Sequence, residues 1–239
     1  MSVTDRYLTA WEGFWSETSD EQGDAIWDSD PCLSAALHLD LLAPYADRAL
    51  PVVDLGCGNG TQTRFLAGHF ARAVGVDLSR AAVEHARRAD PQALAEYARL
   101  DLVDAAAVGA LHERLGDSNV YLRAVIHQSD PQDRAPVARA VARLAGHRGR
   151  AFVVELREAA RDVLAEVVQG PGGPPDKLRR VLTHGLRPAV AADGEVSALL
   201  RSAGLEIYAE GRTELAMTAF HPDGRRIDLP AQWFVAGRP

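Results

Sequence analysis

The chain has 239 residues, with 26 basic and 33 acidic side chains and a formal net charge of −7. That length suits one large domain, or a domain with an elaborated cap, and leaves ample material for a core. Hydrophobic residues at 47% and charged residues at 25% exclude wholesale disorder. The negative charge argues against a protein that lives on nucleic acid, because non-specific affinity there comes from Lys and Arg neutralising phosphates.

The other broad features are also exclusions. Cys32 and Cys57 are too few for a disulfide framework or a zinc cluster, and the histidines show no metal-ligand spacing. No run approaches the 18 apolar residues of a spanning helix. The N-terminal stretch lacks a basic region followed by an apolar one, so no secretory signal is expected. The expectation is a soluble cytoplasmic protein with a small-molecule partner and no membrane, metal or nucleic acid. Lys177 is the only lysine, which reads as a coding bias rather than chemistry.

Along the chain, Tyr7, Trp11, Phe14 and Trp15 fall at i, i+3/i+4 and i+7/i+8 spacing and predict a helix with an aromatic stripe, followed shortly by Trp27. Residues 49–53 form an apolar run leading into Asp54-Leu55-Gly56-Cys57-Gly58-Asn59-Gly60. A helix is expected over 61–71 and a strand over 73–77. Ser79 is placed to N-cap a helix over 80–89, which Asp90-Pro91 stops. Asp101 is expected to close a third strand within YARLDLVD. Residues 120–126 read as a fourth strand and 151–154 as a fifth. Helices over 157–168 and 176–184 are split by QGPGGPPD, which has to be a loop. After a helix near 193–203, strands over 205–220 and 227–236 flank His221-Pro222-Asp223-Gly224, a hairpin turn. The pattern predicts an α/β, doubly wound, seven-stranded sheet, mostly parallel with a terminal antiparallel hairpin. Residues 1–45 are expected to form an N-terminal helical cap, and residues 46–239 the main domain with a cap insertion at 157–190.

The glycines at the first strand-to-helix turn permit positive φ and close approach to a ligand. Their spacing is G-x-G-x-G, and Thr61 stands where a dinucleotide fingerprint would carry its third glycine. Asp54 just before the loop would repel a pyrophosphate. Asp77, at the end of the second strand, is suited to accept both hydroxyls of an unphosphorylated ribose. Asp101, at the third, could accept from an exocyclic amine. Each of the three could instead be an ordinary strand-end or capping residue. Cys57, between glycines, reads as a small buried filler rather than a nucleophile.

Together, DLGCGNG, the acid in GVDLS and the LDL segment resemble the Rossmann-like S-adenosylmethionine-dependent methyltransferases across about residues 46–160. The resemblance implies S-adenosylmethionine as cofactor, with Asp54, Gly56, Cys57, Gly58 and Gly60 at its methionine part. It implies Asp77 with Leu78 at the ribose and Asp101 with Leu102 at the adenine. It also places the end of the fourth strand beside the transferred methyl, where His127 is the candidate general base; alternatively His127 only fills the turn. No Asn/Asp-Pro-Pro-Tyr/Phe motif follows that strand, which lowers amino-group acceptors. Trp11, Trp15 and Trp27 either pack the N-terminal helix on the core or form a lid over cofactor and substrate, completed by 157–190. Arg179, Arg180, His184 and Arg187 read as a solvated face. The expected activity is methylation of a small aromatic or polyketide-like metabolite, most readily on oxygen, with sulfur or nitrogen acceptors and a non-methylating cyclase or isomerase as alternatives.

Overall fold

The computed structural model describes residues 3–186 and 190–239. Among these, seven strands form one sheet in the order β3-β2-β1-β4-β5-β7-β6. The parallel part comprises β1 (Val52–Leu55), β2 (Ala73–Asp77), β3 (Glu96–Arg99), β4 (Asn119–Arg123) and β5 (Ala151–Leu156). All residues of β1 and β5 are buried, as expected of short apolar strands covered by helices on both faces. β7 (Arg226–Gly237) runs antiparallel to β5, and β6 (Glu206–Phe220) antiparallel to β7, giving the expected terminal hairpin.

Helices cover both faces. On one side lie α1 (Val3–Glu17), α2 (Ala35–Leu42), α3 (Thr61–Ala67) and α4 (Arg80–Arg88), whose apolar residues share a core with α7 (Ala160–Gln169) and α8 (Asp176–Thr183). On the other, α5 (Ala105–Leu115), α6 (Pro131–Ala145) and α9 (Glu195–Ser202) pack together over a second core. Ser79 caps α4 as expected, its hydroxyl accepting from the Ala82 N–H at 3.1 Å.

Three expectations need correction. The fourth strand stops at Arg123, because Ala124 adopts φ 61° and a 3-10 turn over Ile126–Gln128 follows. A left-handed alanine carries no local sequence signal. β3 ends at Arg99, where its pairing with Asp77 ends, so Asp101 lies in the turn beyond the strand. The helix expected over 61–71 ends at Ala67, with Gly68 as its C-cap.

The hairpin is longer than the sheet it joins. β5 pairs with β7 only over Ala231–Ala236, whereas β6 and β7 continue pairing with each other to Phe220 and Arg226. The distal half therefore projects beyond the C-terminal end of β5. It is laced to the N-terminal segment: the Thr218 N–H donates to Ile26 O at 2.7 Å. Lys177 of α8 donates through Nζ to Gly23 O (2.5 Å), Thr218 O (2.9 Å) and Thr218 Oγ1 (3.2 Å). Arg180 is likewise not simply solvated. It donates to Asp24 Oδ2 and O at 3.0 and 2.7 Å and lies over the Phe14 ring at 5.3 Å. His184 Nε2 meets Glu17 Oε2 at 2.9 Å, and Arg179 remains exposed. Arg187, with residues 188–189 of the 157–190 segment, lies outside the described residues. Among the described residues no helix is long and apolar enough to cross a membrane.

Candidate active site

The turn from β1 to α3 is shaped by Gly56, Gly58 and Gly60, at φ 73°, 55° and 75°. The N–H groups of Gly56 and Cys57 both donate to Val76 O, at 2.8 and 3.0 Å, folding the loop against β2. The Gly58 N–H donates to Asp77 Oδ2 at 2.9 Å. A Cβ on Gly58 would stand 2.8 Å from Cζ2 of Trp15, so the backbone lies directly beneath the cap. Gly58→Ala combines a left-handed non-glycine residue with that clash. We expect it to lower stability by about 1–3 kcal/mol and to shift Trp15, read by chemical denaturation and tryptophan emission.

The acids line the same cavity. Asp54 is 4% exposed and accepts from Thr63 Oγ1 at 2.6 Å. Burial pushes its carboxyl up to about 6, opposed in part by the Thr63 bond and by the charge of Arg123. Asp77 is also raised, by burial, against backbone bonds from Ser79 and Gly58. Its two oxygens each accept one N–H, Oδ1 from Ser79 and Oδ2 from Gly58, both at 2.9 Å. Each carboxylate oxygen retains a lone pair for a ligand. Asp101 Oδ1 accepts from the Val103 N–H at 3.0 Å. Leu78, Leu102 and Cys57 complete this end. The Cys57 thiol is buried and pushed well up by desolvation and by Asp77, which leaves it protonated and inert.

Trp11, Trp15 and Trp27 also line the cavity. They interlock with Phe14: Trp11–Trp27 centroids are 5.5 Å apart and Phe14–Trp27 4.9 Å. Phe14 and Trp15 are almost fully buried, so the aromatic stripe packs on the core and walls the cavity at once. Polar bonds fasten it. Asn59 Nδ2 donates to Asp28 Oδ2 (2.7 Å), Glu12 Oε2 accepts from Ser79 Oγ (2.7 Å), and His85 Nε2 donates to Trp15 O (2.8 Å).

His127 stands in the 3-10 turn after β4 and lines the cavity, although only 2% exposed. Its Nδ1 lies 2.6 Å from Oε2 of Glu155, a fully buried residue of β5. The same carboxylate accepts the N–H groups of Val125 (2.8 Å), Ile126 (2.6 Å) and His127 (3.1 Å). Glu155 thus fixes both the turn and the imidazole. With Nδ1–H donated to Glu155, Nε2 carries the lone pair, and it meets the Gln128 amide nitrogen at 3.1 Å. Two further polar atoms here are buried without a partner: Gln128 Oε1 and Arg123 Nη1. The other arm of Arg123 donates to Trp27 O at 2.7 Å. Glu155 and Arg123 were not singled out from sequence. The available signal was a lone acid inside the apolar strand AFVVEL.

At its other end the cavity is wholly apolar. Leu164 and Val167 of α7 and Leu178 and Val181 of α8 face Leu215 and Met217 of β6. Ile227 and Leu229 of β7 complete the wall. The alternating apolar positions of the hairpin supply it, since side chains two apart share a face. Among the described residues no group of His, Cys, Asp or Glu is arranged to hold a metal.

The sheet order, glycine loop and strand-end acids define a class, and comparison with known proteins agrees. Residues 52–149 match the model of a methyltransferase domain family. The chain is 30% identical to the ubiquinone biosynthesis O-methyltransferase of Thiobacillus denitrificans, over 70% of this chain and 68% of that protein. It superposes on a crystal structure of a SAM-dependent methyltransferase from Anabaena variabilis with TM-score 0.91 and 28% identity, covering 100% and 96% of the two chains. A magnesium protoporphyrin IX methyltransferase from Synechocystis, solved with bound S-adenosylhomocysteine, shares the fold at TM-score 0.55 and 19% identity, over 86% and 81% of the chains. The chain belongs to the S-adenosylmethionine-dependent methyltransferases. The residues present fit that cofactor: two desolvated carboxylates with spare lone pairs face a cavity whose glycine floor leaves no room for a Cβ.

Proposed function

We propose that this methyltransferase acts on a hydroxyl oxygen of a small molecule, with His127 as general base. The carrying observation is the buried His127–Glu155 pair at the cavity wall, which fixes a tautomer whose Nε2 accepts a proton. The similarity to an O-methyltransferase of ubiquinone biosynthesis supports an oxygen acceptor.

When bound, the cofactor supplies an electrophilic methyl on a sulfonium. Asp77, with Leu78 beside it, accepts from the ribose hydroxyls, and Asp101 and Leu102 hold the adenine. Asp54, with Gly56, Cys57 and Gly58, receives the ammonium of the zwitterionic amino-acid end, whereas Gly60, expected there too, does not line the cavity and packs toward Tyr97 and Ala86. Arg123, beside Asp54, supplies the opposite charge there. His127 Nε2 removes the hydroxyl proton once the Gln128 amide turns aside, and Glu155 neutralises the resulting imidazolium. Residues 1–45 and 157–190 act as the cap over a core spanning 46–239, with Trp11, Trp15 and Trp27 excluding water from the reacting groups.

The test is formation of S-adenosylhomocysteine and methyl ether from a panel of phenols, thiols and amines. Turnover confined to thiols or amines, or none with cofactor bound, refutes the oxygen reading. Separately, Asp77→Ala is expected to weaken S-adenosylhomocysteine binding by about 1–3 kcal/mol, the scale of charge-assisted hydrogen bonds. Unchanged affinity by calorimetry removes Asp77 from the ribose.

A further inference from the structure

The two ends of the cavity differ in kind. Its charged lining residues come from the parallel strands and the turns just after them, the cap segment holding Asp28, and the start of α6. Among the described residues, no charged side chain of α7, α8 or the hairpin lines it.

The charges those elements do carry are directed elsewhere. On α8, Lys177 is committed to Gly23 of the cap segment and Thr218 of β6, and Arg180 to Asp24 of the cap segment. On α7, Asp162 and Glu166 are exposed, and Arg161 donates to Val190 O at 2.6 Å. On β7, Arg226 pairs with Asp228 at 2.6 Å, and Glu214 on β6 is exposed. The projecting part of the hairpin is held by pairing between its own two strands and by the bond from the Thr218 N–H to Ile26 O. What remains toward the cavity is aliphatic surface and one thioether, Met217, whose unbranched side chain adapts to irregular shapes.

From this we infer that the acceptor is amphipathic. Its reacting hydroxyl lies at the His127 end, and its body is an uncharged hydrocarbon, an alkyl or fused-ring group, seated between α7, α8 and the distal hairpin. Met217 and Leu229 set the length accepted. A charged or sugar-like body is excluded, because the chamber has nothing to pair with it and desolvating it would go uncompensated. The inference rests on the methylation reading only for the placement of the hydroxyl.

The test uses the full chain saturated with S-adenosylhomocysteine and catechols bearing unbranched alkyl groups of increasing length, with dissociation constants measured by calorimetry. Affinity is expected to rise about fourfold per added methylene over the first several, the equivalent of the ~0.8 kcal/mol gained on burying a CH2 group. Met217→Trp is expected to weaken the longest members at least tenfold while S-adenosylhomocysteine binding stays within twofold. Leu229→Ala shifts the optimum to a longer chain. Affinity flat across the series in the unsubstituted protein overturns the inference whatever the variants do. Affinity that climbs without methyl transfer to any member upholds the chamber and refutes oxygen methylation. Methyl transfer with flat affinity does the reverse.

Discussion

His127→Ala is expected to lower turnover of an ordinary phenol by about 10²-fold or more, with S-adenosylhomocysteine affinity unchanged. The contrast that isolates a base is the acidity of the acceptor. A 2,4-dinitrophenol, ionised at neutral pH, brings no proton to remove, so the same variant is expected to lose less than about tenfold on it. Equal losses on both acceptors assign His127 to shape rather than proton transfer. Glu155→Gln is the companion variant. The carboxylate accepts from three backbone N–H groups and the imidazole together. A neutral amide sets an NH2 group against some of these donors and cannot balance an imidazolium. A loss of turnover that again spares the acidic phenol marks Glu155 as a positioning residue for His127. A loss of folding alone marks it as a structural pin.

Asp54→Asn is expected to stabilise the ligand-free protein at neutral pH while weakening cofactor binding. Burial raises the folded-state carboxyl to about 6 from an ordinary 3.8, so the folded state holds this proton more tightly than the unfolded chain. Protonation therefore favours the fold between these values. The contribution is full below about pH 4 and is lost as the pH climbs through 6. At pH 7 the carboxylate is ionised and costs the fold up to about 3 kcal/mol, at 1.36 kcal/mol per pH unit. Asparagine removes that cost and can still accept the Thr63 hydroxyl. Urea melts at pH 4.5 and 7 check the sign: the variant's advantage should be large at the higher pH and small at the lower. An advantage equal at both removes the titration argument. Affinity for S-adenosylmethionine should fall about tenfold or more, since the amide offers the ammonium no charge.

These residues were not equally legible in the sequence. Gly56, Gly58 and Gly60, Asp54 and Asp77 announce themselves because a strand-to-helix turn with positive φ and a flanking acid is a local pattern. The sheet was legible for a similar reason, as short apolar runs broken by Gly and Asp. Glu155 was not, because its partner lies on another strand and nothing in AFVVEL marks the turn it pins. The break in β4 was hidden by Ala124, which takes a left-handed conformation without the glycine that would advertise it. The hairpin was visible as two strands, but its overhang depends on where β5 stops, and Arg180 looked solvent-facing because Asp24 is remote in sequence.

The seam where α8, the segment around Gly23 and the projecting hairpin meet is closed by the ammonium of Lys177. Because no other lysine exists in the chain, an acylating reagent finds one side-chain amine, and that amine is engaged whenever the seam is shut. Its rate of acylation, followed by intact mass with the terminal amine as internal reference, reports how often this junction parts and how far a seated ligand slows it. A residue that composition alone presented as a quirk of coding becomes a built-in probe of cap movement.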